Sequence, residues 1–161
     1  MDQFEKFYNS ALRFLSYRPR SEKEIRDKLT SKKADVKIIE LILNKLKEKN
    51  FLNDSEFAKW WIGSRLRFRP RSISLIKREL LQKGIDRETI DAQIFNLNPS
   101  ADGSISNELE NAKKLVEKKI SRYKDLSRQE LYQKLGSFLA RRGFDFDTIK
   151  QVIDEVVSKG V

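Results

Sequence analysis

The sequence predicts an all-α protein, an elongated curved array of three tandem three-helix repeats, and three observations predict it. The first is a repeat: Tyr17-Arg-Pro-Arg-Ser21 returns 51 residues later as Phe68-Arg-Pro-Arg-Ser72. The match continues without a gap through Ile25 and Ile76, Leu29 and Leu80, Asp35 and Asp86, Ile39 and Ile90, Leu43 and Ile94, and Leu46 and Leu97. A third copy holds Tyr123, Ser127, Leu131 and Leu135, then an insertion of four residues, then Phe144, Asp145, Ile149, Ile153 and Val156. Self-similarity at a fixed period marks one supersecondary unit used repeatedly. The second observation is that Ile39, Leu43 and Leu46 recur at i, i+4 and i+7, one face of a helix. The third is that no stretch alternates as a strand does. Three short helices bury only a small core, so each repeat should depend on its neighbour.

The expected helices run 3–17, 21–32 and 35–49, then 54–67, 72–83 and 86–96, then 105–123, 128–142 and 146–158. Pro19 and Pro70 disfavour helical geometry at the residue before them, which ends each first helix near its aromatic residue. Ser21 with Glu24 and Ser127 with Glu130 read as capping boxes, while Ser72, followed by Leu75 at that position, keeps only the simpler cap. Asp35, Asp86 and Asp145 are placed to cap the third helices, at the positive end of the dipole. Gly84 and Gly143 supply the tight connection before them, where a positive φ costs glycine little. These glycines and prolines are read as architectural. The expected division is 1–52, 53–98 and 105–161. Residues 99–104 form a joint within the polar, small-residue stretch from Asn98 to Ser106. Trp60 and Trp61 point about 100° apart on a helix, so one is expected in the core and the other partly exposed, either packed against a neighbouring repeat or anchoring a partner. Phe144, at the repeat position of Ile85, is expected in the core.

Charge narrows the partner. The chain carries 34 Lys and Arg against 24 Asp and Glu, a net charge of +10 on 161 residues, a balance typical of nucleic-acid binding. The excess is concentrated. Arg65, Arg67, Arg69, Arg71, Lys77, Arg78 and Lys83 share their segment with Glu79 as its only acid, and a second concentration runs from Lys113 to Arg142. Such groups with aromatic neighbours suit a phosphate backbone, because each neutralised phosphate releases counterions. The plain alternative is a solvated helix face. With no His and no Cys, the usual neutral-pH general base, thiol chemistry, zinc sites and disulfides are removed. No glycine-rich phosphate loop, signal-peptide core or membrane span is legible. Carboxylates such as Glu22 and Glu24 are interleaved with cations and read as surface pairs. No enzyme, no metal and no cofactor are expected.

The words and their order resemble the RecX regulatory proteins over nearly the whole chain. The first repeat contributes Ala11-Leu-Arg-Phe-Leu15, Arg20-Ser-Glu-Lys-Glu-Ile25 and Leu29. The second contributes Asn53-Asp-Ser-Glu-Phe-Ala58, Trp61-Ile-Gly-Ser-Arg-Leu66, Pro70-Arg71 and Ile76-Lys-Arg-Glu-Leu-Leu-Gln-Lys-Gly-Ile85. The third contributes Leu139-Ala-Arg-Arg-Gly-Phe144, Asp147 and Ile149. The chain departs from the commoner family pattern at Phe68-Arg69, where that pattern would place a glycine-containing turn before Pro70.

That resemblance implies a bacterial modulator of the RecA recombinase, seated in the groove of a RecA filament on DNA and lowering its ATPase, strand-exchange and coprotease activities. It implies a cytoplasmic protein that restrains recombination, DNA repair and the SOS response. Arg65, Arg67, Arg69, Arg71, Lys77 and Arg78 are then the expected contact with filament DNA, with Arg141 and Arg142 touching DNA or RecA. The expected partners are the RecA filament and single- or double-stranded DNA through phosphates, with no membrane and with the protein acting as a monomer. Two other readings stay open: a stand-alone DNA binder of tandem helix-turn-helix-like repeats, and a helical scaffold that binds only protein.

Overall fold

The computed structural model describes residues 2–68, 71–97 and 103–158. Its helices are α1 Gln3–Tyr17, α2 Glu22–Ser31, α3 Val36–Glu48, α4 Asp54–Phe68, α5 Ile73–Gln82, α6 Arg87–Leu97, α7 Gly103–Ile120, α8 Arg128–Arg141 and α9 Phe146–Ser158. Among the described residues there is no strand, and the fold is all-α, as the sequence predicts. The largest difference is in α7. It starts at Gly103 and gives way to a 3₁₀ turn over Ser121–Tyr123, so part of the expected joint is helical. Ser104 disfavours a helix by only tenths of a kcal/mol, and Gly103 stands at the first position of α7, not in its interior. Asn98 to Asp102, the rest of that stretch, lie outside the described residues, as do Arg69 and Pro70.

The helix starts follow the sequence closely. Ser21 and Glu24 form the reciprocal capping box. The Ser72 hydroxyl accepts the Leu75 N–H at 3.0 Å and the Ser127 hydroxyl accepts the Glu130 N–H at 3.2 Å. Asp35, Asp86 and Asp145 accept from Lys37, Thr89 and Thr148 at 3.4, 2.7 and 2.8 Å. Gly84 and Gly143 take φ of +83° and +90°. At the matching position of the first repeat stands Lys33, with φ +64°, a left-handed conformation that costs a residue bearing Cβ about 1 kcal/mol.

The chain packs as two compact units, Met1–Trp61 with Leu80–Gln93, and Ile62–Glu79 with Ile94–Val161. The core of the first gathers Phe7 and Ala11 of α1, Ile25 and Leu29 of α2, and Ile39, Ile42, Leu43 and Leu46 of α3. That of the second gathers Ala112, Leu115 and Val116 of α7, Leu131, Leu135, Phe138 and Leu139 of α8, Phe144, and Val152 and Ile153 of α9. The repeat-matched apolar positions Ile25, Leu29, Ile39, Leu43 and Leu46 are all buried, as are Ile76, Leu80 and Ile90 of the second repeat, but there Ile94 is only half-buried and Leu97 is exposed.

Each unit contains one junction between repeats, and the two junctions are built alike. In the first unit the buried Ser21 donates its hydroxyl to the Lys83 carbonyl at 2.7 Å, and Asp54 accepts the Glu22 N–H at 2.8 Å. In the second, the Ser72 N–H donates to the Arg142 carbonyl at 3.1 Å and Glu108 accepts the Ile73 N–H. The start of the second helix of one repeat is therefore held by an acid and a cation–glycine corner of the next. The glycines are required there. A Cβ on Gly84 would lie 2.6 Å from the Lys23 Cβ, and one on Gly143 would lie 2.6 Å from the Ser72 hydroxyl and 2.7 Å from the Leu75 Cβ.

Candidate nucleic-acid interface

The basic segment of the second repeat is partly spent on the fold. Arg65 near the end of α4 and Arg71 before α5 each reach the same Glu79 carboxylate oxygen at 3.0 Å, with about a quarter of each arginine side chain exposed. Two guanidiniums on one half-buried carboxylate leave an excess positive charge, but their geometry is fixed by that acid. Arg67 and Arg78 are exposed, and Lys77 is half-buried. In the second unit, then, Arg67 on α4 and Arg78 on α5 present charge outward, while Arg65 and Arg71 anchor Glu79. Arg69 lies outside the described residues.

The third repeat adds Arg141, exposed at the end of α8, and Arg142, half-buried with its guanidinium 5.3 Å above the Phe138 ring. Lys119 covers the same ring at 4.0 Å and Lys134 lies 5.7 Å over Tyr123. Such contacts steady a cation without neutralising it. Both arginines sit beside the Gly143 corner, so this site is tied to the second junction.

In the first repeat the corresponding cations do structural work. Glu24 is approached by Arg18, by Arg20 at 3.8 Å and by Lys83 at 3.6 Å. Burial pushes its carboxyl upward, yet the hydrogen bond from Arg18, the Ser21 N–H and the charges of Arg18 and Lys83 outweigh that and hold it below its ordinary value. Glu24 is thus a half-buried node, where the sequence suggested a surface pair. Trp60 and Trp61 are both half-buried, and neither is the fully enclosed residue expected of one of them. Arg18 lies 5.9 Å from both rings and Lys83 lies 5.3 Å from Trp61. The two indoles thus flank the junction cations.

The structure also collects cations that the sequence did not single out. Lys6 and Arg13 of α1, Lys28 of α2 and Lys32 just past its end surround an open groove of about 640 Å³. A helical projection would have aligned Lys6 with Arg13, but their approach to α2 depends on packing. Among the described residues no cluster of acids suits a metal ion, and no helix is long and apolar enough to cross a membrane.

Family models match along the chain in order: the first three-helix domain of RecX at residues 8–51, the second at 53–92 and the third at 106–153. The chain belongs to the RecX family. The regulatory protein RecX of Bacillus subtilis is 35% identical over 155 residues, covering 96% of this chain and 56% of that one. The regulatory protein RecX of Clostridioides difficile is 33% identical over 157 residues, covering 98% of this chain and 71% of that one. The chain thus spans little more than half the length of the Bacillus relative. The crystal structure of RecX from Lactobacillus salivarius superposes with a TM-score of 0.74 at 30% identity, covering 94% of this chain and 95% of that one. The three RecX matches follow the order of the three copies of the internal repeat.

Proposed function

We infer that this RecX-family chain binds RecA filaments on DNA in the cytoplasm and restrains their ATPase, recombinase and coprotease activities, and so recombination, repair and the SOS response. The observation that carries the reading is the match of all three RecX domains, in order, to relatives named regulatory proteins. The charge of +10 and the exposed Arg67, Arg78 and Arg141 support a phosphate contact. In this reading Arg67, Arg69, Lys77, Arg78, Arg141 and Arg142 meet DNA or RecA, and Arg65 and Arg71 hold their surroundings through Glu79. The protein works as a monomer by binding alone, without a cofactor.

Co-sedimentation with preformed RecA–DNA filaments tests this. Wild-type protein should pellet with filaments, and Arg67→Glu/Arg78→Glu/Arg141→Glu should pellet at least tenfold less and with a flatter salt dependence. Retention of the triple variant at wild-type levels, with its helicity intact, would assign the contact elsewhere. Tight binding to bare DNA with no preference for filaments would favour the stand-alone DNA binder.

A further inference from the structure

In the first repeat Arg18 and Arg20 pair with Glu24, Lys23 with Asp27, Arg26 with Glu22 and Glu40, and Lys47 with Glu22. The groove between α1 and α2 gathers four cations that do not pair in this way. Lys6, Arg13, Lys28 and Lys32 line the groove with no carboxylate among its lining residues, and none of the four makes an ion pair among the described residues. Four like charges around one concavity repel one another and raise the local potential, an arrangement that an anionic ligand relieves.

The rim of the groove carries an aromatic ring. Tyr17 is 77% exposed, whereas its repeat counterpart Tyr123 is half-buried against the core of its own repeat with Lys134 above it. Phe14, also on the groove, is already covered by Arg20 at 3.6 Å, so Tyr17 is the open platform. Cations tracking a backbone beside an uncovered ring on which a base can stack are the elements of single-strand recognition. From Lys6 to Tyr17 the α1 axis advances about 16 Å, enough for about five nucleotides stacked at ~3.4 Å each.

We propose that this groove is a binding site for single-stranded nucleic acid, with Lys6, Arg13, Lys28 and Lys32 on phosphates and Tyr17 stacked on a base. The proposal rests on the filament reading and adds a contact in the first repeat, on residues other than Arg67 and Arg78.

The test is fluorescence anisotropy of a labelled oligothymidine, without RecA, across a salt series. It compares wild type, Lys6→Gln/Arg13→Gln/Lys32→Gln, Tyr17→Ala and Arg67→Gln/Arg78→Gln, all on exposed side chains and each checked by circular dichroism. The triple groove variant should bind at least tenfold more weakly, with a log–log salt slope shallower by about 2, since each single-strand phosphate contact contributes ~0.7. Tyr17→Ala should weaken binding roughly tenfold with the slope unchanged. A groove variant that binds like wild type, while Arg67→Gln/Arg78→Gln loses binding, overturns the groove and leaves the filament reading standing. Wild type that ignores the oligonucleotide, with groove variants that lose capture on RecA filaments, also overturns it and gives the groove to an acidic protein surface. Wild type that binds neither oligonucleotide nor filament removes the groove and the filament reading together.

Discussion

At the scale of residues, the repeat tells which positions are constrained by backbone and which by charge. Gly84→Ala and Gly143→Ala combine a left-handed φ with a Cβ at 2.6 Å from its nearest neighbour. Each should cost about 2–4 kcal/mol in urea unfolding. Lys33, at the same position of the first repeat with φ +64°, predicts the opposite sign: Lys33→Gly should raise stability by about 1 kcal/mol, read as a higher midpoint with unchanged slope. The two glycines were legible as connections in the sequence. Their close approach to the preceding repeat was not, because it depends on how Lys23 and Ser72 are presented across a junction. Glu24 makes a pH prediction. Its folded carboxyl lies below the ordinary value, so its contribution is present above the ordinary glutamate pKa of ~4.3 and is lost as pH falls through the depressed folded value. Glu24→Gln should therefore be less stable than wild type by about 1–2 kcal/mol at pH 7, and the two should converge in acid. A pH-independent difference would mean that Glu24 acts by packing alone.

Helices and their ends carry most of what the sequence could show. Caps are local, so Ser21, Ser72, Ser127, Asp35, Asp86 and Asp145 were readable from spacing, and the apolar faces followed from the helical period. What was not readable is the exchange of partners between repeats. Arg20 has its acid at Glu24, but the second repeat has Leu75 there and meets Arg71 with Glu79 one turn later. Two of the arginines expected to face a ligand consequently pair with Glu79, a partner that the repeat did not point to. The acids that hold the second helices were also hidden, since Asp54 and Glu108 act across a repeat boundary. Glu108 separates two roles. Burial pushes its carboxyl upward, partly offset by the Ile73 N–H it accepts. Its charge thus subtracts from stability at neutral pH, a cost relieved as pH falls through the raised value. Glu108→Gln, which keeps an acceptor, should be neutral or slightly stabilising at pH 7. Glu108→Ala should cost about 1 kcal/mol by leaving the N–H of Ile73 unsatisfied. Equal losses in both variants would show that the charge itself holds the helix start.

For the molecule as a whole, charge and repetition had different powers. A charge of +10 points to an anionic partner but not to which anion, and repetition gives the fold but no partner. The RecX family is what joins them, through three domains matched in order. The proposed contacts fall in both units: Arg67, Arg78 and Arg141 are exposed in one, and Lys6, Arg13, Lys28 and Lys32 line a groove in the other. If the chain restrains RecA as proposed, RecA's ATPase on single-stranded DNA should respond to this protein at substoichiometric ratios. The expected result is a dose-dependent loss of ATP hydrolysis, weaker for Arg67→Glu/Arg78→Glu/Arg141→Glu than for wild type. Unchanged hydrolysis at a saturating ratio, with the protein folded and able to bind DNA by itself, would contradict the claim.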